Sequence, residues 1–493
     1  MGADLQTNSA DIDTGFAARA TREIADLPGP RALPLVGSLF QIERRRLHQN
    51  VEAWGRQFGP FFRLKLGRRT LLVVSDHEAL NAALRDRPEG FRRTRLLEVI
   101  GLEMGLQPGV FGANGDDWRR QRRMVMAGFD PSHVKAYFPS LQKVAQRLRG
   151  RWQRAARAGT ALELQPELMR FTVDAIAGLA FGADVNTLES DEEIIQQHLD
   201  KIFPALYKRL FSLIPVWRFI RLPADRELER SVAAVNTAIA DFITQARARL
   251  AADPARREHP PNLLEAMIVA ADAGTSGGEA AVTDREVAGN VMTMLLAGED
   301  TTANTLAWMI YLLHRHPEAL QRAQQEVRAL AHDSAAFTPE QLGALDFVEA
   351  CAHETMRLKP VAPFQVIEAL RETVVGDVRV PAGTGVWCLM RGDSVSERHF
   401  PNPEAFEPQR WLADGSPGQA ANSSKRVSMP FGAGPRVCPG RYLAMLEIKM
   451  AMATLLAHFD IVSVTTPDGG EAVEQMAFTM MPVGLRMILR ERS

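Results

Sequence analysis

The pattern of apolar and polar residues divides the chain into a β-rich start, a long helical middle and a second β-rich patch. Apolar positions alternate with basic ones over residues 62–66, a turn follows at 67–70, and apolar positions resume up to residue 74, which predicts a β-hairpin. From about residue 118 to about residue 355 the chain is mostly Ala, Leu, Arg and Glu, which favour helix. Glycines and prolines interrupt valine-rich pieces over residues 374–389, which indicates further short strands. The pattern therefore predicts a mainly α fold with small β-sheets and no linker between domains.

One helix is predicted to be far longer than the others. Thr283 and Glu286 form a capping-box pattern that begins a helix, and no proline follows before Pro317. About 32 residues at ~1.5 Å each make a helix of roughly 48 Å, long enough to cross the molecule. Residues 291–298 are nearly all apolar, so we expect this middle part to be buried.

Polar residues follow directly on this buried stretch. Residues 299–302 are two acids and two threonines, and burying such groups is costly unless they have partners. Helical geometry places Met294, Ala297 and Thr301 on one face. The middle of the long helix is therefore a candidate functional centre.

The overall composition is that of an ordinary globular protein. The chain has 493 residues, of which 46% are hydrophobic and 24% charged, which excludes collagen-like, coiled-coil and disordered proteins. The formal net charge is -1, so the basic footprint of a nucleic-acid partner is missing. There is no run of about 18 apolar residues, so no transmembrane segment is predicted. Residues 1–26 lack an apolar signal sequence. We interpret them as a flexible tail and expect a cytoplasmic protein.

The most informative cysteine is Cys438. It lies in a loop rich in glycine and proline, residues 431–440, just before a predicted helix over residues 441–458. Backbone N–H groups at a helix N-terminus and the nearby Arg436 would both favour a thiolate. The alternative is that Cys438 is a small buried hydrophobic residue, as isolated cysteines usually are.

The whole loop resembles the cysteine-loop motif of the cytochrome P450 family. The matching positions are Phe431, Gly434, Arg436, Cys438 and Gly440, extended by Ala444 and Glu447. From average residue usage, five such fixed positions arise by chance on the order of once in ten thousand such chains or less. The resemblance implies the cytochrome P450 fold, with the long central helix over haem b and with the Cys438 thiolate as the ligand of the haem iron. It runs from residue 27 to the C-terminus, so residues 27–493 are expected to form a single haem domain.

A second motif of the family gives a structural triad. Glu354 and Arg357 resemble its Glu-x-x-Arg pair, whose members share one helix face. Other pairs in the chain have the same spacing, but only this one is followed after about fifty residues by a segment similar to the family's, residues 406–411. The resemblance implies that Arg410 completes a buried triad which holds the cysteine loop in place. Trp411 departs from the commoner Phe of that segment.

Several residues are implied to bind the haem by the same resemblance. Trp118 and Arg122 resemble the pair that hydrogen-bonds a haem propionate, and Arg436 is implied to hold a propionate as well, because a planar guanidinium suits a carboxylate. Phe431 is implied to contact the cofactor. Glu368 stands where many members of the family have an arginine directed at a propionate, so we expect that contact to be absent or rebuilt.

Residues 297–302 resemble the oxygen-activation segment of the family. Ala297 and Gly298 are implied to leave room for O2, while Thr301 can bond a carbonyl one turn back and donate to the oxygen. Asp300 is implied to feed protons from solvent. The expected reaction is monooxygenation, in which one atom of O2 is inserted into an apolar substrate. The alternatives are a peroxygenase, a haem-dependent isomerase or a non-catalytic haem sensor.

The partners follow from the remaining sequence. The chain ends about 50 residues after Cys438, so electrons are expected from a separate ferredoxin or flavodoxin with its reductase. A basic stretch could steer such an acidic carrier; its members are Arg119, Arg120, Arg122 and Arg123.

The implied substrate pocket is apolar, which suits a lipophilic small molecule such as a fatty acid, terpenoid, steroid or polyketide. The segments are residues 91–111, 202–220, 294–297, 361–366 and Phe478. We interpret residues 203–220 as a lid over this pocket, with membrane contact as the alternative.

Overall fold

The computed structural model describes residues 21–129, 137–190, 195–212, 214–274, 282–330, 337–412 and 419–492. Helices dominate these residues. In chain order, α1 to α17 are Leu47–Phe58, His77–Arg85, Arg95–Glu103, Gly115–Gly128, Phe138–Ala158, Leu164–Phe181, Ile195–Leu199, Ile202–Leu210, Pro223–Ala252, Ala255–Glu258, Leu263–Gly274, Asp284–Arg315, Pro317–Leu330, Pro339–Gly343, Asp346–Leu358, Gln419–Ser428 and Arg441–His458.

The strands are short and lie mainly at the two ends of the chain. In chain order, β1 to β13 are Arg22–Glu23, Phe61–Leu66, Arg69–Val74, Phe91–Arg93, Leu162–Glu163, Phe364–Ala369, Thr373–Val375, Val378–Val380, Gly385–Leu389, Phe459–Thr465, Glu474–Met476, Met480–Pro482 and Arg486–Glu491. The prediction of a mainly α fold with small β-sheets is confirmed.

The largest sheet has five strands in the order β2-β3-β9-β6-β4. Strands β2 and β3 form the predicted antiparallel hairpin, with a turn of only two residues, 67 and 68, because the pairing extends to Leu66 and Arg69. Strand β4 pairs with β6 at the other edge of this sheet.

The N-terminal strand corrects one boundary. Arg22 and Glu23 pair in parallel with β8, so residues 22–26, expected to belong to a flexible tail, are part of the fold. Residues 1–20 of that predicted tail lie outside the described residues.

Helix α12 is the predicted long helix. Thr283 Oγ1 accepts from the N–H of Glu286 at 3.2 Å and the Glu286 carboxylate accepts from the N–H of Thr283 at 2.8 Å, so the capping box is present. The helix ends at Arg315, just before Pro317. It packs along α6, where a Cβ on Gly298 would lie only 3.3 Å from Ile176. Gly298 therefore allows the close approach of two helices.

Helices of sufficient length and apolar character to cross a membrane do not occur in the described part of the chain.

Candidate active site between the cysteine loop and the long helix

Cys438 lies in a loop that leads directly into α17. Its backbone N–H donates to the carbonyl oxygen of Phe431 at 2.9 Å, which closes the loop. Burial raises the pKa of the Cys438 thiol, while the backbone N–H of Gly440 and the charges of Arg122 and Arg441 act in the opposite direction. Nearby cations and a helix N-terminus are the surroundings that favour a thiolate ligand.

The guanidinium of Arg436 is directed away from the Cys438 thiol, toward α4. It lies over the ring of Trp118, with its carbon 4.7 Å from the ring centroid. Its Nη2 donates to the carbonyl oxygen of Ala113 at 2.6 Å. Arg436 is therefore oriented by the segment that leads into α4.

Helix α4 brings two predicted residues to the same loop. Trp118 is buried, and Arg122, one turn later, donates from Nη2 to the carbonyl oxygen of Val437 at 2.8 Å. Trp118, Arg122 and Arg436, which are far apart in sequence, thus converge beside Cys438.

One glycine of the loop, Gly434, serves packing against α2. Gly434 has a φ of 70°, and a Cβ there would lie 2.4 Å from the carbonyl oxygen of Leu84. Arg87 ties the two segments together by donating to the carbonyl oxygens of Leu84 at 3.1 Å and Ala433 at 3.2 Å. The close approach predicted for these glycines is thus made, at Gly434, to the neighbouring helix.

Three guanidinium groups lie together near the loop. Burial and mutual repulsion lower the pKa of Arg93 and Arg436 to about 9, and burial lowers that of Arg87 to about 10. Buried nitrogens of all three (Arg87 Nη1, Arg93 Nε and Arg436 Nε) have no hydrogen-bond partner among the described residues. Such a group of partly unsatisfied cations suits an anionic ligand.

Arg93 was not predicted as a site residue, although Glu368 gave a signal for it. Strand pairing sets Glu368 opposite Arg92, and the Glu368 carboxylate accepts from the backbone N–H of Arg95 at 3.5 Å. Glu368 is thus turned toward the start of α3, and the positive charge missing at its position comes from β4 next to it.

Between residues 287 and 313, helix α12 has one exposed position. Ala297 is exposed and Thr301 is half-buried, while residues 294–296 are buried. Thr301 Oγ1 donates to the carbonyl oxygen of Ala297 at 2.6 Å, which is the hydrogen bond that the sequence predicts.

Asp300 is turned away from solvent and has two partners. Its Oδ1 accepts from Asn304 Nδ2 at 2.7 Å, and its Oδ2 accepts from the hydroxyl of Thr479. Burial raises the pKa of its carboxyl, and these two donors partly oppose that effect. Asn304 is held in turn by Gln165, whose Nε2 donates at 2.8 Å. Both carboxyl oxygens of Asp300 are therefore held by side chains of the described residues.

A second acidic pair beside Asp300 was missed by sequence reasoning. The carboxyl of Glu299 is buried and interacts with that of Asp200, at the start of the turn before α8. Burial and the negative charges of Asp200 and Asp300 raise the pKa of Glu299 well above its usual range. Burial of its inward-facing carboxyl is also the main reason why the pKa of Asp200 is raised to about 6, although that residue as a whole is exposed.

The other threonine of the segment faces the cysteine helix. Thr302 contacts Glu447 on α17. Burial raises the pKa of Glu447 to about 8, and this hydrogen bond acts in the opposite direction. Thr301 and Thr302 therefore have different surroundings.

Phe478 contacts two of the other predicted pocket segments. Its ring stacks on Phe203 at 4.6 Å between centroids and meets Phe111 edge-on at 6.2 Å. Its φ of 90° is outside the range usual for residues with a side chain. The predicted lid is split: Phe203 lies inside this cluster, whereas Phe219 is 79% exposed.

The predicted triad is confirmed. Arg357 binds Glu354 through two hydrogen bonds of 2.8 Å, and Arg410 Nε donates to the same carboxylate at 3.0 Å. The departure at Trp411 adds a partner, because its indole Nε1 donates to Glu354 Oε2 at 2.8 Å.

The predicted basic stretch is largely neutralised within the chain. Arg119 pairs with Glu89 and Asp116, and Arg120 pairs with Glu286 at 2.5 Å and Asp117 at 2.9 Å. Arg122 is used by the cysteine loop. The capacity of the basic stretch to steer an acidic electron carrier is therefore smaller than expected.

The donor set fits a haem. A thiol beside cations suits iron, the three partly unsatisfied guanidiniums suit two propionates, and the exposed point of α12 at Ala297 offers an apolar surface.

Comparisons with known proteins agree with this chemistry. Residues 27–489 match the family described as cytochrome P450. Among solved structures, the cytochrome P450DA haem domain is similar, with a TM-score of 0.80 and 25% identity, over 96% of this chain and 99% of that chain.

Curated relatives have similar levels of identity. Protein LUTEIN DEFICIENT 5 of Arabidopsis thaliana is 26% identical over 82% of this chain and 67% of its own length. Thromboxane-A synthase of Rattus norvegicus is 26% identical over 87% of this chain and 85% of its own length. A self-sufficient cytochrome P450 monooxygenase of Aspergillus niger is 28% identical over 91% of this chain, which spans only 40% of that relative. The chain belongs to the cytochrome P450 family of monooxygenases, which hold haem b by a cysteine thiolate.

Proposed function

We propose that the protein inserts one oxygen atom from O2 into a lipophilic small molecule of the fatty acid, terpenoid, steroid or polyketide class. The observation that carries this proposal is the adjacent alcohol and acid at the middle of α12. Thr301 has its hydroxyl fixed at 2.6 Å from the Ala297 carbonyl, and Asp300 lies next to it with a raised carboxyl pKa. Reduction of O2 consumes protons, and an acid of raised pKa that directly precedes the residue of the fixed hydroxyl in the chain suits their supply.

Haem b bound through a cysteine thiolate supplies the reductive activation of O2. Cys438 would hold its iron. Arg93 and Arg436 would hold the propionates together with Trp118 and Arg122, because the guanidiniums of Arg93 and Arg436 keep buried donors without partners.

Proton supply is the part of the mechanism that the chain itself performs. Thr301 Oγ1 has its own proton directed at Ala297, so it can pass a proton only by rotating or by sharing this bond. Asp300 can hold a proton on the oxygen that faces Thr479 when the Thr479 hydroxyl turns from donor to acceptor. Asp200 and Glu299 form a second path, from an exposed residue to a buried carboxyl next to Asp300.

The substrate class rests on the aromatic cluster around Phe478. Phe111 and Phe203 contact this ring from two separate segments, and Phe364 stacks on Trp387 at 5.4 Å. Apolar rings with few polar groups bind lipophilic molecules by excluding water.

The electron source is proposed to be a separate ferredoxin or flavodoxin with its reductase. The Aspergillus relative is described as self-sufficient and is much longer than this chain. A reductase within the same protein is therefore the alternative, and turnover that requires no added redox partner would establish it.

The test is Thr301→Ala in the haem-loaded enzyme. We expect unchanged haem content and unchanged spectral shifts on substrate binding. Product formed per NAD(P)H should fall roughly tenfold, with hydrogen peroxide as the replacement product.

Thr293→Ala is the matched control, because Thr293 makes the same kind of bond to Gly289 at 2.8 Å two turns earlier. Thr293→Ala should form as much product per NAD(P)H as the wild type. Native coupling in Thr301→Ala would contradict the proposal, and efficient turnover with peroxide alone would favour a peroxygenase.

A further inference from the structure

A cluster of two histidines and one aspartate lies outside the site described above. His77 is the first residue of α2, and Asp393 and His399 lie in the segment after β9. We propose that these three side chains bind one zinc ion. Neither the proposed reaction nor the haem requires this site.

The ligand atoms are already close to the positions that zinc needs. His77 Nδ1 lies 2.8 Å from Asp393 Oδ2, His399 Nε2 lies 3.6 Å from the same oxygen, and all three atoms are within 4.8 Å of one another. Bonds of about 2.0–2.1 Å in a tetrahedral site separate two ligand atoms by about 3.3 Å. The separation of 2.8 Å must widen, that of 3.6 Å must shorten, and the two imidazole nitrogens, at most 4.8 Å apart, must come to about 3.3 Å, all of which side-chain rotation can supply.

One of the three donors lacks any other use. His399 Nε2 is buried and has no hydrogen-bond partner among the described residues, because 3.6 Å is too long for such a bond. Asp393 is oriented by the backbone N–H of His77, which donates to Oδ2 at 2.8 Å. The side chains of His77, Asp393 and His399 are 12%, 18% and 16% exposed, so water can reach the cluster and complete the coordination.

The chemistry of the donors selects the ion. Two imidazole nitrogens and one carboxylate oxygen suit Zn2+ and its late transition-metal neighbours. An all-oxygen set, which calcium and magnesium prefer, is absent from this cluster.

The bound ion would connect distant parts of the fold. His77 and Asp393 are 316 positions apart, and Ser394, next to Asp393, accepts from Arg357 of the triad at 2.7 Å. The other end of α2 packs against Gly434 of the cysteine loop. Zinc would therefore brace α2 between the triad segment and the loop, and ligand binding to the folded state stabilises it.

The experiment is a calorimetric titration of the tag-free, haem-loaded enzyme with zinc chloride. We expect one zinc per chain in the wild type and at least tenfold weaker binding in His399→Gln. Saturating zinc should raise the thermal midpoint of the wild type by about 2 °C or more and leave that of His399→Gln unchanged. Without zinc, His399→Gln loses the edge-on contact of the His399 ring with the His77 ring, at 4.7 Å between centroids, so its thermal midpoint should be slightly lower than that of the wild type.

His259→Gln is the control, because His259 is exposed and lies outside the cluster. It should bind zinc as the wild type does. If His399→Gln does not fold, His77→Gln replaces it in the same titration. Absence of zinc binding in the wild type, or equal affinity in the wild type and the cluster variant, would overturn the proposal.

Discussion

The triad behind the cysteine loop and the acidic centre of α12 both bury carboxyl groups, but they treat them in opposite ways. Both oxygens of Glu354 are bonded to donors: Oε1 to Arg357, Arg410 and the N–H of Glu407, and Oε2 to Arg357 and Trp411. Glu299 has a buried Oε1 without a hydrogen-bond partner among the described residues, and its neighbours are acids. A fully bonded carboxylate fixes structure, whereas neighbouring carboxyls of raised pKa can exchange protons.

Breaking the triad should therefore affect folding most. Arg357→Ala leaves Glu354 buried without its bidentate partner, which typically costs ~3–5 kcal/mol. We expect little haem-loaded protein, measured by the spectrum of the reduced CO complex. The exposed Arg398→Ala should accumulate normally, and a normal yield of Arg357→Ala would show that the triad does not hold the fold.

A smaller change tests the departure at Trp411. Trp411→Phe keeps an aromatic ring against His353 but removes the indole donor to Glu354, at an expected cost of about 1–3 kcal/mol in the free energy of unfolding. Trp217→Phe removes a similar bond, to Glu103, in an exposed position and should change stability much less. Equal losses in a denaturant titration would mean that burial of the bond is unimportant.

In the acidic centre of α12, formed by Glu299 and Asp300, we expect substitutions to change the pH dependence of the reaction and to have little effect on folding. Thr479→Val removes a donor to Asp300 and keeps the side-chain shape, so the pKa of Asp300 should rise further. Coupled turnover is measured as a function of pH. The part of this profile that reflects the titration of Asp300 should shift to higher pH by about one unit. Thr479→Ser, which retains the hydroxyl, should restore the wild-type profile. An unchanged profile in Thr479→Val would remove Asp300 from the proton path.

The smallest expected effect concerns Asp200. Its pKa is raised to about 6 in the folded protein, so the folded state binds this proton more readily than the unfolded chain. Stability contributed by the protonated form is therefore lost as the pH rises from about 4 to about 6. The thermal midpoint of the wild type relative to Asp200→Asn should fall over this interval and stay level above it. A constant difference would show that the Asp200 carboxyl faces water.

Most of the fold could be predicted from local sequence motifs. The capping box at Thr283, the hairpin at residues 61–74 and the helix after Gly440 depend on neighbours in sequence, and the structure contains all three. The triad could be predicted because the spacing between Glu354 and Arg410 resembles that of the family's motifs.

The missed residues depend on contacts between distant segments. Thr479 reaches Asp300 across 179 positions, and Arg93 reaches Arg436 only because β4 closes the edge of the large sheet. The packing role of Gly298 was not predicted, because its neighbour Ile176 lies on another helix. No pattern within one segment contains such information.

The left-handed backbone at Phe478 has a consequence for how the substrate range can change. Any residue with a side chain at position 478 has the conformational cost of a φ of 90°, of order 1–3 kcal/mol. A glycine would remove this cost, but it would also remove the ring that contacts Phe111 and Phe203. The next residue, Thr479, donates a hydrogen bond to Asp300. A change in the backbone of this turn would therefore also displace the hydroxyl that holds Asp300. Variation of substrate preference is therefore expected to accumulate at Phe111 and Phe203 before it reaches this turn, and mutant libraries aimed at new substrates should begin there.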